Sequence, residues 1–185
     1  MKRLIITSVA AILSIMSGWT QESLFLKGDK VVNIGIGLGS SLYSGTYFTG
    51  TIPPLSVSFE KGVVDNILEK GVIGVGGYLG YSSYKYEFMD WGYKYSDIIV
   101  GARGSFHYPL LEKLDTYTGL LAGYEILTHR EFGSYSSGTP LGAANGGIVW
   151  SWYIGGRYYF SDKMAAMAEL GYGISYLTLG ISLKL

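Results

Sequence analysis

Apolar and polar residues alternate one by one along most of this chain from Val32 onward. In the first such stretch Val32, Ile34, Ile36 and Leu38 share one parity, and small or polar residues fill the other. Successive side chains of a β-strand point to opposite faces, so the pattern predicts strands with one apolar face. The alternation occurs over residues 32–39, 55–60, 73–81, 97–108, 119–126, 148–160, 166–173 and 178–185.

The connections between these eight predicted strands differ in length. Those at 40–53, 83–95 and 128–146 are long and polar or aromatic, whereas those at 61–71, 109–115 and 161–163 are shorter and carry turn-forming residues. An even strand number with long loops on one side and short turns on the other is typical of a transmembrane barrel. The predicted fold class is all-β, an eight-stranded antiparallel up-and-down transmembrane β-barrel with both termini on the short-turn, periplasmic side.

The composition favours a membrane barrel over a soluble one. Charged residues make up 15% of the chain, and it contains 28 glycines and 17 tyrosines, whereas an average soluble domain has roughly 25% charged residues. A soluble barrel would carry a solvated outer face around an apolar cavity. Here the face opposite the apolar one is mainly glycine with isolated charges, which predicts a narrow lumen that side chains fill.

The first twenty residues have the composition of a secretory signal peptide. Lys2 and Arg3 precede an apolar run over residues 4–16 that is too short to span a bilayer as a helix. We predict cleavage between Thr20 and Gln21, which divides the chain into a signal peptide (1–20) and a barrel domain (21–185).

Two further absences narrow the function classes. The chain has no cysteine, which excludes a lipid-anchored lipoprotein, a disulfide framework and a thiolate metal site. Its 14 basic and 14 acidic residues form no basic patch, so no nucleic-acid partner is predicted.

Aromatic residues mark two heights on the sixth predicted strand. Trp150 and Trp152 lie at one end of its apolar face, and Tyr158 and Phe160 lie at the other. Ten residues of tilted strand cover about 25 Å along the membrane normal, which is the height of an apolar band between aromatic girdles. We therefore predict that these four residues belong to the girdles.

Charged residues recur on the predicted inward parity. An unpaired buried charge is costly, so these residues are expected to pair or to hold water. A structural network that fills the lumen is the favoured interpretation, and a path for protons or small ions is the alternative. The predicted network consists of Glu60, Asp97, Arg103, Glu125, Arg157, Glu169 and Lys184.

The connection at 83–95 predicts a β-hairpin that projects beyond the membrane. The outward parity changes from apolar to polar at Ser83 and, on the return, at Ser96. Tyrosine offers a large contact area at low entropic cost, so the aromatic side of the hairpin is a candidate surface for an extracellular protein or glycan. The alternative is that its rings only pack the hairpin and cap the barrel. The aromatic residues are Tyr84, Tyr86, Phe88, Tyr93 and Tyr95, with Trp91 near the tip.

Catalytic chemistry has few candidate residues. The two histidines are His107, next to Tyr108-Pro109 at the short-turn end, and His129, in a polar loop. We predict that the protein is not an enzyme and that it has no catalytic, cofactor-binding or metal-binding residues. An enzyme that modifies outer-leaflet lipid, with His129 as its candidate residue, is kept as an alternative.

The last predicted strand carries a more specific pattern. Thr178, Gly180, Leu183 and Leu185 resemble the C-terminal signal by which bacterial outer-membrane β-barrels are recognised for assembly, with leucine where the family usually ends in an aromatic residue. With the eight strands, they make the chain similar to the small outer-membrane barrels of the OmpX-like and OmpA-like groups.

The resemblance implies a location in the bacterial outer membrane. It also implies contact with outer-membrane lipid and the barrel assembly machinery, and a role in envelope integrity or adhesion. The leading hypothesis is a non-enzymatic structural or surface-binding barrel without an open pore. A narrow channel for small solutes or ions and a lipid-modifying enzyme are the alternatives.

Overall fold

The fold is seen in a computed structural model that describes residues 23–40, 48–88, 91–133, 143–172 and 174–185. The predicted signal peptide, residues 1–20, lies outside this part of the chain. No helix in the described part is both long and apolar enough to cross a bilayer. The strands are β1 (Lys30–Leu38), β2 (Phe48–Ile67), β3 (Gly71–Phe88), β4 (Trp91–Leu111), β5 (Leu114–Gly133), β6 (Ala143–Tyr159), β7 (Met164–Tyr172) and β8 (Leu177–Lys184).

The eight strands form a closed antiparallel barrel. Each strand pairs with the next, and β1 pairs with β8 to complete the ring. Inside this seam Asn33 joins three strands, because Ser182 Oγ donates to its Oδ1 at 2.7 Å and its Nδ2 donates to Ser58 Oγ at 2.9 Å. The predicted eight-stranded antiparallel up-and-down barrel is therefore confirmed.

The wall separates an apolar outer face from a polar and glycine-rich inner face. Ile34, Leu79 and Trp150 point outward and are 60%, 52% and 60% exposed. Asn33 and Arg103 point inward and are 2% and 4% exposed. A soluble monomer rarely exposes so much contiguous apolar surface, whereas a barrel in lipid requires it.

The barrel is much taller on one side than on the other. Strands β2, β3, β4 and β5 contain 20, 18, 21 and 20 residues, but β1, β7 and β8 contain 9, 9 and 8. The four long strands stay paired beyond the apolar band, up to the register of Phe88 with Trp91 and of Trp91 with Gly133. We call the paired segments 48–50, 83–88, 91–96 and 128–133 the sheet extension.

The predicted long loops were wrong in extent. Residues 48–53 belong to β2 and residues 128–133 to β5, so the predicted hairpin is the centre of a four-stranded sheet rather than a free projection. Pro53 and Pro54 lie where the β2–β3 register shifts between Ile52 and Leu55, and such a bulge accommodates residues that lack an N–H.

Short connections define the opposite end of the barrel, which we call the turn end. The β2–β3, β4–β5 and β6–β7 connections cover only residues 68–70, 112–113 and 160–163, so the predicted connections at 61–71 and 109–115 were too long. The first contains two non-glycine residues at positive φ, Leu68 at 50° and Glu69 at 75°.

Candidate functional site: a filled lumen below a sheet extension

The inward-facing residues of β4 show the order of the layers in the lumen, starting from the turn end. His107, Arg103, Ile99 and Asp97 follow one another on this face and are all buried. Tyr95 continues the same parity into the sheet extension. The molecule therefore has an ionic lower lumen, an apolar layer, and an aromatic sheet above it.

The lowest layer is a closed set of charges. Arg157 donates through Nη1 to Asp115 Oδ2 at 3.1 Å and through Nη2 to Glu60. His107 lies between the same two carboxylates, with Nε2 2.9 Å from Glu60 and Nδ1 2.9 Å from Asp115. An imidazolium is the form that donates from both nitrogens, and together with Arg157 it balances the two acids.

Phe25 closes this layer from the turn end. It precedes β1, is fully buried, and clusters with Val31 and Val72. Its ring centroid lies 4.2 Å from that of His107 and 5.6 Å from the Arg157 guanidinium. The segment that carries Phe25 is tied to β2, since Gly28 N–H donates to the Gly62 carbonyl at 2.9 Å.

The next layer is centred on Arg103. It donates to Glu169 at 2.7 Å, to the Tyr153 hydroxyl at 3.0 Å and to Ser58 at 3.3 Å. Tyr117 also donates to Glu169, at 2.8 Å. A buried ion pair offsets its desolvation only when its remaining polar atoms are also bonded, and this layer meets that condition.

Inward-facing glycines make room for the large side chains of both layers. A Cβ at Gly155 would lie 2.8 Å from Tyr117 Cζ and 2.8 Å from Glu169 Cγ. A Cβ at Gly119 would lie 2.4 Å from the Tyr153 hydroxyl. The glycine-rich parity in the sequence thus corresponds to space that rings and charged groups occupy.

Apolar side chains cover the ionic layers from above. Ile99, Leu121 and Ile174 cluster with the rings of Tyr117 and Tyr153. The adjoining lumen cavity, which Arg103, Tyr153 and Ile174 help to line, has a volume of about 30 Å³, which is room for only a few water molecules. Within the described residues the lumen is packed rather than open.

The predicted charge network is therefore brought together only in part. Glu60, Arg103, Arg157 and Glu169 lie in the two ionic layers. The sequence-based set omitted His107, which was treated only as a catalytic candidate.

Asp115 was also missed, because it was assigned to a turn although β5 already begins at Leu114. Asp115 pairs with Pro109 across the β4–β5 ladder, so the strand continues past Tyr117. Asp115 is two residues from the inward-facing Tyr117, and this alternation could have placed it in the lumen.

The other three predicted members lie apart. Lys184 is at the turn end, where its Nζ contacts Asp29 at 2.7 Å and donates to the Leu24 carbonyl at 3.0 Å. Asp97 lies above the apolar layer and accepts a hydrogen bond from Ser82 at 3.1 Å. Glu125 is half-buried and pairs with Ile99 in the β4–β5 register, above the ionic layers.

The sheet extension carries the predicted aromatic residues on one face. Tyr84 is opposite Tyr95, and Tyr86 is opposite Tyr93, across the β3–β4 ladder. The ring of Tyr93 lies 4.9 Å from that of Trp91, measured between centroids. Phe88 pairs with Trp91 along the backbone, and its side chain is outside the described part.

A histidine that the sequence did not connect with this cluster also belongs to it. His129 of β5 is opposite Tyr95, and its ring lies 6.1 Å from Tyr93 and 6.1 Å from Tyr95. Trp91 Nε1 donates to Glu131 at 2.6 Å. Burial and the neighbouring Tyr93 and Tyr86 phenols raise the pKa of Tyr95. The aromatic face therefore spans three strands.

The remaining predicted residues lie on the outer wall or at the seam. Trp150, Trp152, Tyr158 and Phe160 point outward at two heights and are 60%, 49%, 53% and 58% exposed.

In the described residues no group of three His, Cys, Asp or Glu side chains is placed to hold a metal ion.

The four residues of the assembly pattern lie on both faces of β8 and at its end. Leu183 and Leu185 are on the outer face, whereas Thr178 and Gly180 pair with Gly37 and Gly35 of β1.

Comparison with known proteins gives the fold but no family. No family model matches the chain, and no curated protein matches it. The N-terminal β-barrel domain of Pseudomonas aeruginosa OprF superposes with a TM-score of 0.50 at 13% identity, covering 86% of this chain and 98% of that one. The fold is that of a small outer-membrane β-barrel.

Two further solved structures also match the chain. Ail, the attachment invasion locus protein of Yersinia pestis, matches at 13% identity with a TM-score of 0.48, over 86% of this chain and 96% of that one. OprG from Pseudomonas aeruginosa matches at 9% identity with a TM-score of 0.47, over 89% and 99%. At these identities the likeness concerns the fold alone.

Proposed function

We propose that this protein is a non-enzymatic barrel of the bacterial outer membrane that presents its sheet extension as a surface-binding element and does not conduct solutes. The observation that carries the proposal is that the same strands enclose a filled lumen at one height and form an open sheet at another. The lumen is filled where eight strands surround it, and β2 to β5 then continue as a paired sheet with an aromatic face.

The outer wall supports a membrane-spanning position. The apolar face of β6 between Trp150 and Phe160 covers about 25 Å along the membrane normal, which matches the apolar band of outer-membrane barrels. With the turn end in the periplasm, the sheet extension lies outside the cell. Removal of residues 1–20 as a signal peptide and recognition of Thr178, Gly180, Leu183 and Leu185 by the assembly machinery belong to this proposal.

The aromatic face is suited to a protein or glycan partner. Tyr86 and Tyr93 are half-buried and adjacent, so each keeps part of its surface exposed to solvent. Tyrosine and tryptophan dominate binding energy at protein surfaces because rigid rings bury much area at low entropic cost. A structural role in the envelope remains compatible with the same fold.

The positions of the two histidines support the non-enzymatic part of the proposal. His107 is wholly buried, and both of its nitrogens contact carboxylates. His129 lies among the tyrosines of the sheet extension rather than on the lipid-facing wall.

Three measurements test the proposal. Unboiled and boiled samples of the membrane-extracted protein should migrate differently on a denaturing gel, and surface proteolysis of intact cells should cut within the sheet extension. Purified protein in planar bilayers should give no steady open-state current. Recovery of the protein in the soluble periplasmic fraction would overturn the membrane location. A steady current would overturn the absence of conduction.

Binding is tested with cells that display the protein. We expect them to adhere to a panel of immobilised extracellular-matrix proteins and glycans above cells that lack it, and a Tyr86→Ser/Tyr93→Ser variant to lose about tenfold in adherence. Tyr176→Ser, in the short β7–β8 turn, is the control and should adhere normally. Equal adherence of cells with and without the protein would contradict a binding role.

A further inference from the structure

Three basic residues form a straight row across the outward face of the sheet extension. Lys85 is directly opposite Lys94, and Lys94 is directly opposite Arg130, in the β3–β4 and β4–β5 registers. Lys94 and Arg130 are exposed, and Lys85 is partly exposed. Neighbouring strands lie about 4.8 Å apart, so the row places three cationic side chains within about 10 Å.

The row lies just above the apolar band. The last apolar row across these strands is Tyr81, Ile98 and Ile126, and one polar row separates it from the basic row. Four residues along a strand are about 13 Å, or about 10 Å along the normal of a tilted barrel. Lysine and arginine side chains bend back towards the interface, so their charged ends reach the level of lipid headgroups.

Charges are segregated between the two faces in this region. Among the described residues, the acids on the inward parity are Asp97, Glu125 and Glu131. The acid near the row on the outward parity is Glu87, which pairs with Lys85 at 2.5 Å. The outward face therefore keeps an excess of positive charge.

Such a row is unfavourable without an anion. Like charges directly opposite each other on neighbouring strands destabilise a sheet. At the turn end Lys30 is likewise opposite Lys61, whereas Lys70, Lys113 and Lys163 each directly follow an acidic residue in the sequence. The sheet extension thus aligns three basic residues, of which Lys85 is paired with Glu87 and Lys94 and Arg130 lie directly opposite each other.

We propose that Lys85, Lys94 and Arg130 bind the phosphate groups of lipid headgroups in the outer leaflet. Arginine binds phosphate with two parallel hydrogen bonds, and lysine adds point charges beside it. The apolar wall, one polar row below the basic row, would hold the acyl chains of the same lipid, which favours a lipid over a free anion. This inference rests on the outer-membrane placement proposed above.

The test measures lipid retention by the purified barrel. The protein is folded in dodecyl maltoside micelles, and binding of diphosphoryl lipid A is followed by native mass spectrometry. We expect the Lys85→Gln/Lys94→Gln/Arg130→Gln variant to bind at least about tenfold more weakly than the parent, because each basic residue near an anionic surface contributes about fivefold. The matched control, Lys70→Gln/Lys113→Gln/Lys163→Gln, removes the same charge at the turn end and should bind normally.

Further arms identify the source of the phosphate. Recognition of lipid phosphate predicts that phosphatidylglycerol binds more weakly than lipid A and that its binding also falls in the row variant. It also predicts that lipid A without its phosphates does not bind. Inorganic phosphate that binds the parent as tightly as lipid A would overturn the proposal, because the row would then be a free-anion site.

Equal lipid binding by parent and row variant, or an equal loss in the control, would also overturn it. A gel-mobility shift on boiling establishes that each variant is folded, and Arg130→Gln alone replaces the triple variant if that shift is lost. Because the assay needs neither cells nor a partner, its failure is distinguishable from a failure of adherence.

Discussion

The lower lumen and the sheet extension are built from the same strands, but inward-facing side chains are buried in the first and partly exposed in the second. Along the inward parity of β4, Arg103 and His107 are buried and fully engaged in ion pairs, whereas Tyr93 and Tyr95 above them are half-buried. The difference lies in what surrounds them, because eight strands enclose the first pair and an open sheet carries the second. One alternating strand therefore yields a core at one height and a surface at another.

Removal of Arg157 should break the lower lumen. An Arg157→Ala variant leaves the carboxylates of Glu60 and Asp115 with His107 as the one cation between them, so one buried negative charge is unbalanced. We expect the free energy of unfolding to fall by about 3–5 kcal/mol, the cost of breaking a buried ion pair. Urea titration in lipid vesicles, followed by tryptophan fluorescence, measures it.

Arg130→Ala serves as the control for that variant, since Arg130 is exposed on the sheet extension. It should change stability by less than about 0.5 kcal/mol. An Arg157→Ala protein as stable as the parent would show that the ionic layers do not hold the lumen together.

A smaller disturbance of the lumen comes from filling its glycine spaces. Gly155→Val forces a side chain against Tyr117 and Glu169, and we expect a loss of about 1–3 kcal/mol from overpacking. Gly77→Val is the matched control, because a Cβ there meets only the Gly101 carbonyl oxygen, at 4.0 Å. The same urea titration compares them, and equal stability of the two variants would mean that the lumen has spare room.

The sheet extension should loosen without affecting the barrel. Tyr93→Ala removes ring contacts with Trp91, Tyr95 and His129, and aromatic pairs contribute about 0.5–1.5 kcal/mol each. We expect faster trypsin cleavage at Lys94 with an unchanged gel-mobility shift on boiling. Tyr176→Ala should leave the cleavage rate unchanged, and loss of the mobility shift in Tyr93→Ala would contradict separate stability of the two regions.

The smallest expected effect lies at the turn end, which belongs neither to the ionic layers nor to the sheet extension. Glu69 has a φ of 75°, a conformation that costs a side-chain-bearing residue about 1 kcal/mol and glycine little. Glu69→Gly should therefore raise stability by about 0.5 kcal/mol after the entropic cost of glycine is subtracted. Glu112→Gly, in the neighbouring turn but without positive φ, should not stabilise, and a gain there would point to charge rather than backbone conformation.

The barrel wall was predictable because lipid imposes a strict rule on every strand. Ile34, Leu79 and Leu179 follow period two since a polar residue in their places would face the membrane. Strand number, parity and the closed topology follow from that rule. The inward glycines likewise indicated a crowded lumen.

The features that the sequence did not predict are not governed by such a rule. Phe25 belongs to a segment without periodicity, and its burial depends on the space next to His107 that only the closed barrel creates. The polar run at 128–133 does not alternate, but β4 supplies a complete ladder of partners for it. Asp115 was hidden by the adjacent Glu112-Lys113 turn, because polar residues on either side of a tight turn look like a loop.

Asn33 has a consequence for how the barrel comes together. Its bond with Ser182 joins residues 149 positions apart in the chain, which makes the β1–β8 seam the most distant of the strand pairings to form. A slip of one residue at that seam would turn the Asn33 amide towards lipid, where an unsatisfied amide costs several kcal/mol. The Asn33 side chain thus favours the native register at the strand pairing with the longest separation in the sequence.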